Sequence, residues 1–241
     1  MLLHDDGLSK GRAGKPGPAR FAPRDTRAAL GGNAVADISS EQVKRLRDQT
    51  GAGMMDCKRA LTEAGGEFDR AVEVLRTKGL ATAAKKAERA ANQGLIGSYI
   101  HAGGRIGVLI EVNCETDFVA RNEEFLQLVH DLAMQVAAAN PAWVSREQAP
   151  AEVVENERRI LKAQAETESG GKKPPQVIEK IAEGRLDKFF KERCLLEQAY
   201  IKDPDRTVKD LMAEKIAKIG ENISVGRFAR FAVGEGGPKA G

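Results

Sequence analysis

Cysteine, aromatic residues and unbalanced charge are all scarce in this chain of 241 residues. The three cysteines, Cys57, Cys114 and Cys194, lie far apart and form no Cys-x-x-Cys pair. A zinc ribbon or a dense disulfide framework is therefore excluded. No apolar run approaches the ~20 residues that a membrane span needs, so no membrane is expected as a partner. Aromatic residues make up 5% of the chain and the formal net charge is +3, from 38 Lys+Arg against 35 Asp+Glu. Even that small excess is local. Six basic residues (Lys10, Arg12, Lys15, Arg20, Arg24, Arg27) and three acidic ones (Asp5, Asp6, Asp25) fall within 1–36, which accounts for all of it. The remainder is neutral, and a neutral, aromatic-poor body argues against direct nucleic-acid binding, which needs a basic face to displace counterions.

Residues 1–36 mix Gly, Pro, Ala and Arg without period, a composition that buries too little apolar surface to offset its ordering entropy. They are read as a disordered basic extension. They lack the apolar core of a secretory signal, and three Asp residues with little Ser make a poor organelle leader. Two origins stay open: a translated extension, or an upstream misreading with Val35 as a start encoded by GTG.

The sequence offers little for catalysis. No Gly-Lys-Ser/Thr closes a phosphate loop, and Gly51-Ala52-Gly53 lacks the third glycine of a dinucleotide loop. There is no Gly-x-Ser-x-Gly elbow. His4, His101 and His130 show no metal-ligand spacing. A Cys114/His130 pair is conceivable, but Cys114 falls on the inward face of a strand, where a structural thiol is expected. Neither a metal nor a cofactor is expected, and an enzyme is disfavoured.

What is present is periodicity. Ser39 and Gln42 have capping-box spacing, with Ile38 placed as a staple, and Val43 and Leu46 follow on one face. Gly51 and Gly53 break that helix. Cys57, Ala60, Leu61 and Ala64 mark a second helix, and Phe68, Ala71, Val72 and Leu75 a third, which Gly79 should close. Residues 37–80 thus form a three-helix module, and 81–93 a helical connector. A core with a helical insertion occupies 94–233, and 234–241 is a flexible tail. Leu95–His101 and Arg105–Cys114 read as a hairpin. Ile106, Val108, Ile110, Val112 and Cys114 alternate inward along it, covered by helices. Asn122 caps a helix carrying Phe125, Leu128, Val129, Leu132 and Val136. Val153–Glu166 and Gln176–Arg193 are helical around a Gly/Lys/Pro linker. Asp203-Pro204-Asp205 reads as a turn, and Thr207 caps a helix closed by Gly220. The last strand, Ile223–Val233, should return to the hairpin with Ile223, Val225, Ala229, Phe231 and Val233 on one face. The fold class is α+β.

One segment stands apart. Thr116–Val119 sets an acid beside a large aromatic between a strand end and a helix start, a platform for a protruding loop. On local grounds Phe118 is expected to fold back onto the hairpin core, because Phe is usually buried.

Three stretches resemble the bacterial elongation factor Ts family. They are Ile38–Arg47 with Thr50–Leu61, then Glu111–Asn122, and Lys218–Ile223 with the Arg-Phe strand after it. The similarity runs from about Ala36 to Gly236. It implies a module similar to ubiquitin-associated domains, followed by an α+β core. It also implies a cytoplasmic guanine nucleotide exchange factor that binds elongation factor Tu in its GDP-bound and nucleotide-free states. By resemblance, Thr116, Asp117, Phe118 and Val119 are the exchange element. Phe118 would wedge into the GTPase and Asp117 would help disturb its magnesium site, which reverses the local expectation for Phe118. Arg47, Gly51, Gly53, Met54 and Met55 would dock the module on the same partner, although core packing is an equal reading for the two methionines. His101 matches a family position at the core-side interface. A single strand pair marks the short form of the family, whose members can form homodimers, so the resemblance is compatible with a dimer. The extra C-terminal helix of long members is missing. The competing function is a protein-binding adaptor that uses the module without exchanging nucleotide.

Overall fold

The computed structural model describes residues 38–235; the expectations for the basic extension and for the end of the tail lie outside them. Three helices come first: α1 (Ser40–Thr50), α2 (Met54–Glu63) and α3 (Phe68–Lys86). The Ser39/Gln42 capping box is formed in both directions at the start of α1. Leu46, Cys57, Ala60, Leu61 and Ala71 meet in a small apolar cluster, with Phe68, Val72 and Leu75 packed against it.

The chain then enters the hairpin β1 (Gln93–Ile100) and β2 (Ile106–Cys114). A four-residue helix α4 (Asp117–Ala120) leads into α5 (Glu123–Ala139). Two long antiparallel helices follow, α6 (Ala151–Ser169) and α7 (Pro175–Arg193). After them come β3 (Ala199–Tyr200), β4 (Asp203–Thr207), α8 (Val208–Ile219) and β5 (Ile223–Ala232). The larger sheet has the order β1-β2-β5 with both pairings antiparallel, so β5 does return to the hairpin. Val108, Ile110, Val112 and Cys114 of β2 face the α5 stripe of Phe125, Leu128, Val129, Leu132 and Val136 in the main core. Each large apolar side chain fully withdrawn from water there contributes about 2 kcal/mol.

Three local expectations are corrected. Gly79 does not close the third helix: α3 runs on through it, and Gly79 is buried where α3 crosses α8. A methyl group there would already sit 3.8 Å from the Ala213 carbonyl oxygen. The Asp203-Pro204-Asp205 turn is instead strand β4, paired with β3, and the reversal falls at Ile201 and Lys202. The single inward face predicted for the last strand is broken by a bulge. Glu111 pairs with Arg227 but Val112 pairs with Val225, which leaves Gly226 as the extra residue. One extra residue moves every later side chain to the opposite face. Ile223 and Val225 are buried as expected, while Phe231 and Val233 are exposed and Phe228 packs inward instead.

Candidate functional site

The β2 strand delivers its last inward residue, Cys114, into the core and then turns sharply. Thr116 takes an extended conformation and caps α4, its hydroxyl accepting from the Val119 amide at 3.4 Å. Within that single turn the side chains divide. Val119 and Ala120 pack against the main core, whereas Phe118 points away from it and is 83% exposed. The local expectation of a buried Phe118 is thus wrong: the two small apolar residues after it occupy the inward positions. Asp117 reaches Arg121 at 3.0 Å across the outside of the turn. Both partners are largely exposed, so this pair adds little stability.

The base of the turn is tied to distant parts of the chain. The Glu221 carboxylate accepts from the Glu115 amide at 3.1 Å, the Thr116 amide at 3.0 Å and the Thr116 hydroxyl at 2.6 Å. In return, the Asn222 amide donates to the Glu115 carboxylate at 2.6 Å, and Arg89 lies 3.5 Å from the same carboxylate. The Asn222 side chain donates to the Arg89 carbonyl at 2.7 Å, and Lys86 donates to the Gly220 carbonyl. Cys114 completes the base, its thiol donating to the Thr116 carbonyl at 3.1 Å. Burial, reinforced by the charge of Glu221, pushes that thiol above its ordinary range, so it stays protonated and serves as a structural donor.

The module presents a second exposed segment. Gly51 ends α1 in the left-handed region at φ 66°, its amide donating to the Arg47 carbonyl at 2.8 Å. A side chain there would be strained. Gly53 caps α2. Met54 and Met55 are 47% and 64% exposed, which decides between core and surface for both, and Arg47 is exposed as well. The Gly51 turn lies close to Glu214 and Lys218 of α8, and Lys218 pairs in turn with Glu124 at the start of α5. The C-terminal half of α8 therefore links the module's turn to the region that follows Phe118.

His101 is not brought to that region. It sits in the reversal between β1 and β2, hydrogen-bonded to the Tyr99 hydroxyl at 3.0 Å. The ladder runs from the Gln93–Cys114 pair to the Ile100–Gly107 pair. At ~3.3 Å per residue, His101 and the Phe118 turn are separated by about 23 Å of sheet. Cys114 and His130 do not form a nucleophilic pair either. The thiol is committed to the Thr116 carbonyl, and the His130 ring stands edge-on to Tyr99 with centroids 5.6 Å apart. Among the described residues, no three His, Cys, Asp or Glu side chains cluster as a metal would require. No described helix is long and apolar enough to cross a membrane.

Sequence reasoning missed Glu221, Glu115, Asn222 and Arg89, which hold the turn in place. Glu221 lies 105 positions from Thr116, and hydrogen bonds at that separation leave no periodic trace. The arrangement as a whole displays a rigid aromatic and an acid.

Comparison with known proteins covers this same region. The family model described as "Elongation factor TS" matches residues 38–235. The elongation factor Ts of Carboxydothermus hydrogenoformans is 63% identical over 199 residues, which is 83% of this chain and 90% of that protein. That of Syntrophomonas wolfei is 62% identical over 83% of this chain and 92% of its own length. That of Caldanaerobacter subterraneus is 62% identical and is covered over 98% of its length.

Proposed function

The chain belongs to the elongation factor Ts family of translation elongation factors, and from that premise we propose that it is a guanine nucleotide exchange factor for elongation factor Tu. The observation that carries the reading is Phe118, 83% exposed on a turn tied down at its base. An aromatic side chain in water is costly to maintain, and a rigid support lets it enter a partner without an ordering penalty.

The mechanism needs no bond chemistry from this chain. In such a GTPase a magnesium ion would help hold the nucleotide by neutralising phosphate charge. Phe118 wedges into the GTPase, and Asp117 brings negative charge towards that magnesium site, weakening the hold on GDP. Thr116 shapes the turn and Val119 anchors it. Arg47, Gly51, Gly53, Met54 and Met55 form the module's docking segment, and His101 makes a separate contact at the far end of the sheet. The factor binds the nucleotide-free partner better than the GDP-bound one, so by reciprocity incoming GTP displaces it. This work belongs to the cytoplasm, where elongation takes place. Within the chain, 37–80 serves as the docking module, 81–93 as connector and 94–233 as the core that holds the exchange element.

The test is release of a fluorescent GDP analogue from elongation factor Tu with and without the full-length protein. Acceleration that saturates with protein concentration is expected. Complex formation with nucleotide release unchanged at saturation would favour the adaptor reading instead.

A homodimer has its own supporting observation. The face of the β1-β2-β5 sheet turned away from α5 exposes Ile96, Ile100, Leu109, Phe231 and Val233, and the last four line a shallow groove of about 410 Å³. A contiguous apolar face of this kind favours a partner over water. We propose that a second copy of this chain covers it. Sedimentation should show a dimer that Phe231→Asp converts to monomer; a wild-type monomer at high concentration would overturn the reading.

A further inference from the structure

We infer that Glu221 is a positioning residue that holds the Thr116–Val119 turn in its docking-ready form, an inference that rests on the exchange reading above. The core contacts of Val119 and Ala120 anchor the end of the turn and leave its start, Glu115–Asp117, to be held by other means. The α4 helix has only four residues, and isolated helices that short do not persist in water. Its outward side chains, Asp117 and Phe118, make no contact with the core that could fix it.

The order is imported from Gly220-Glu221-Asn222. Glu221 accepts the two backbone amides that follow β2, those of Glu115 and Thr116, at 3.1 and 3.0 Å, and it also takes the hydrogen of the Thr116 hydroxyl at 2.6 Å. This last bond sets the direction of a relay. With its hydrogen committed to Glu221, the Thr116 oxygen has lone pairs free for the Val119 amide, which it accepts at 3.4 Å. Val119 is the residue that anchors the turn in the core, and Phe118 precedes it. Glu221 thus acts on Phe118 through two hydrogen bonds without approaching it. Hydrogen bonds to a carboxylate are the stronger kind. The reciprocal bond from the Asn222 amide to Glu115 at 2.6 Å closes the two segments into a clasp.

A clasp of this type has a distinct kinetic signature. Freeing the turn leaves Phe118 chemically intact but makes docking bear the ordering cost. The half-saturating concentration of the factor should therefore rise, while the rate at saturation holds. Glu221→Ala should raise the half-saturating concentration about tenfold and leave the saturating rate within about twofold. Glu221→Asp should restore part of the loss. In a Phe118→Ala background, Glu221→Ala should add almost nothing, because the wedge it positions is already gone. A residue needed only for stability would raise the half-saturating concentration only as far as the unfolded fraction, read by circular dichroism, accounts for, and its effect would add to that of Phe118→Ala. Should Glu221→Ala fail to fold, Glu221→Gln carries the same test. It keeps the size, and its oxygen can still accept both backbone amides, but its NH2 then faces the Thr116 oxygen, which reverses the bond that sets the relay.

A second measurement separates this inference from the exchange reading. Amide hydrogen exchange of the full-length protein alone should accelerate about tenfold in Glu221→Ala at residues 119–122, with the β2 amides from 107 to 112 unchanged. If the wild type fails to accelerate GDP release, the exchange reading falls, yet this measurement still decides the clasp. Unaltered protection at residues 119–122, or additive effects of the two substitutions, would overturn the inference.

Discussion

At one end of the β1–β2 ladder the turn is fastened by several side-chain bonds from residues more than a hundred positions away; at the other the hairpin tip is fastened mostly to itself, the Val233 amide reaching just its last residue, Arg105. The Phe118 end is held by Glu221 and Asn222, with Arg89 alongside. The His101 end is closed by the His101 amide on the Ile106 carbonyl, the Gly104 amide on the His101 carbonyl and the Tyr99 hydroxyl on the His101 ring, with the Val233 amide of the last strand on the Arg105 carbonyl at 2.9 Å. Both ends expose their turns to water. Exposure therefore does not distinguish a loose loop from a presented one; the origin of the hydrogen bonds does. A turn whose restraints come from separate elements moves only if those elements move, whereas residues 101–104, closed mainly on the hairpin itself, can flex more freely.

Glycine substitution offers the strongest attempt to break this comparison. Gly94, opposite Asn113 at the fastened end, has φ 141°, and an added Cβ would lie 2.2 Å from the Val112 carbonyl oxygen. Gly94→Ala should cost about 3 kcal/mol or more, measured by urea unfolding, because backbone atoms must shift. Gly103, in the hairpin tip, has φ 86° with nothing within 4 Å of an added Cβ. Gly103→Ala should cost only the left-handed backbone penalty, about 1 kcal/mol. Equal costs would erase the distinction between the two ends.

Acid should reveal a smaller effect at the seam that supports the fastened end, where α3 meets α8. Arg76 donates to Asp210 at 3.0 and 2.5 Å. Burial alone would raise the Asp210 carboxyl, but hydrogen bonds from Arg76 and Thr207 outweigh it and hold the group below its ordinary value of 3.8. A lowered value in the folded protein means that the pair stabilises above the ordinary value and that this contribution is lost as pH falls through the folded one. Arg76 is half exposed, so about 1 kcal/mol at most is at stake. Unfolding free energies between about pH 5 and pH 2 should fall less steeply in Arg76→Ala than in wild type. Identical slopes would mean that the pair contributes nothing.

The smallest effect is expected at the loose tip. His101→Ala should reduce stimulated GDP release by no more than about twofold, because a flexible contact yields little net binding energy. A tenfold loss would show that the self-closed end is presented as firmly as the other.

Much of this fold was legible in the sequence wherever the signal is local. The alternation Val108, Ile110, Val112, Cys114 identified the buried face of β2, and Ser39 with Gln42 identified the start of α1. What could not be read is set by partners distant in sequence. Gly79 resembles a helix stop, but the packing of α3 on α8 carries the helix through it. One extra residue at Gly226 reverses the faces of β5, and its pattern looks regular until the register with β2 is known. Burial preference alone sent Phe118 inward; the resemblance to a family placed it on the surface, and Val119 and Ala120 explain how the turn permits that. Glu221 lay within a recognised stretch, yet its role depends on a pairing across 105 positions.

The central claim is that the fastened end acts through its exposed aromatic ring, and Phe118→Ala tests it most directly. Stopped-flow release of fluorescent GDP from elongation factor Tu, at saturating concentrations of wild type and variant, should show the variant at least about tenfold slower. Its melting temperature should match that of wild type, since an 83% exposed side chain contributes little to the fold. A folded Phe118→Ala protein that releases GDP at the wild-type rate would contradict the account.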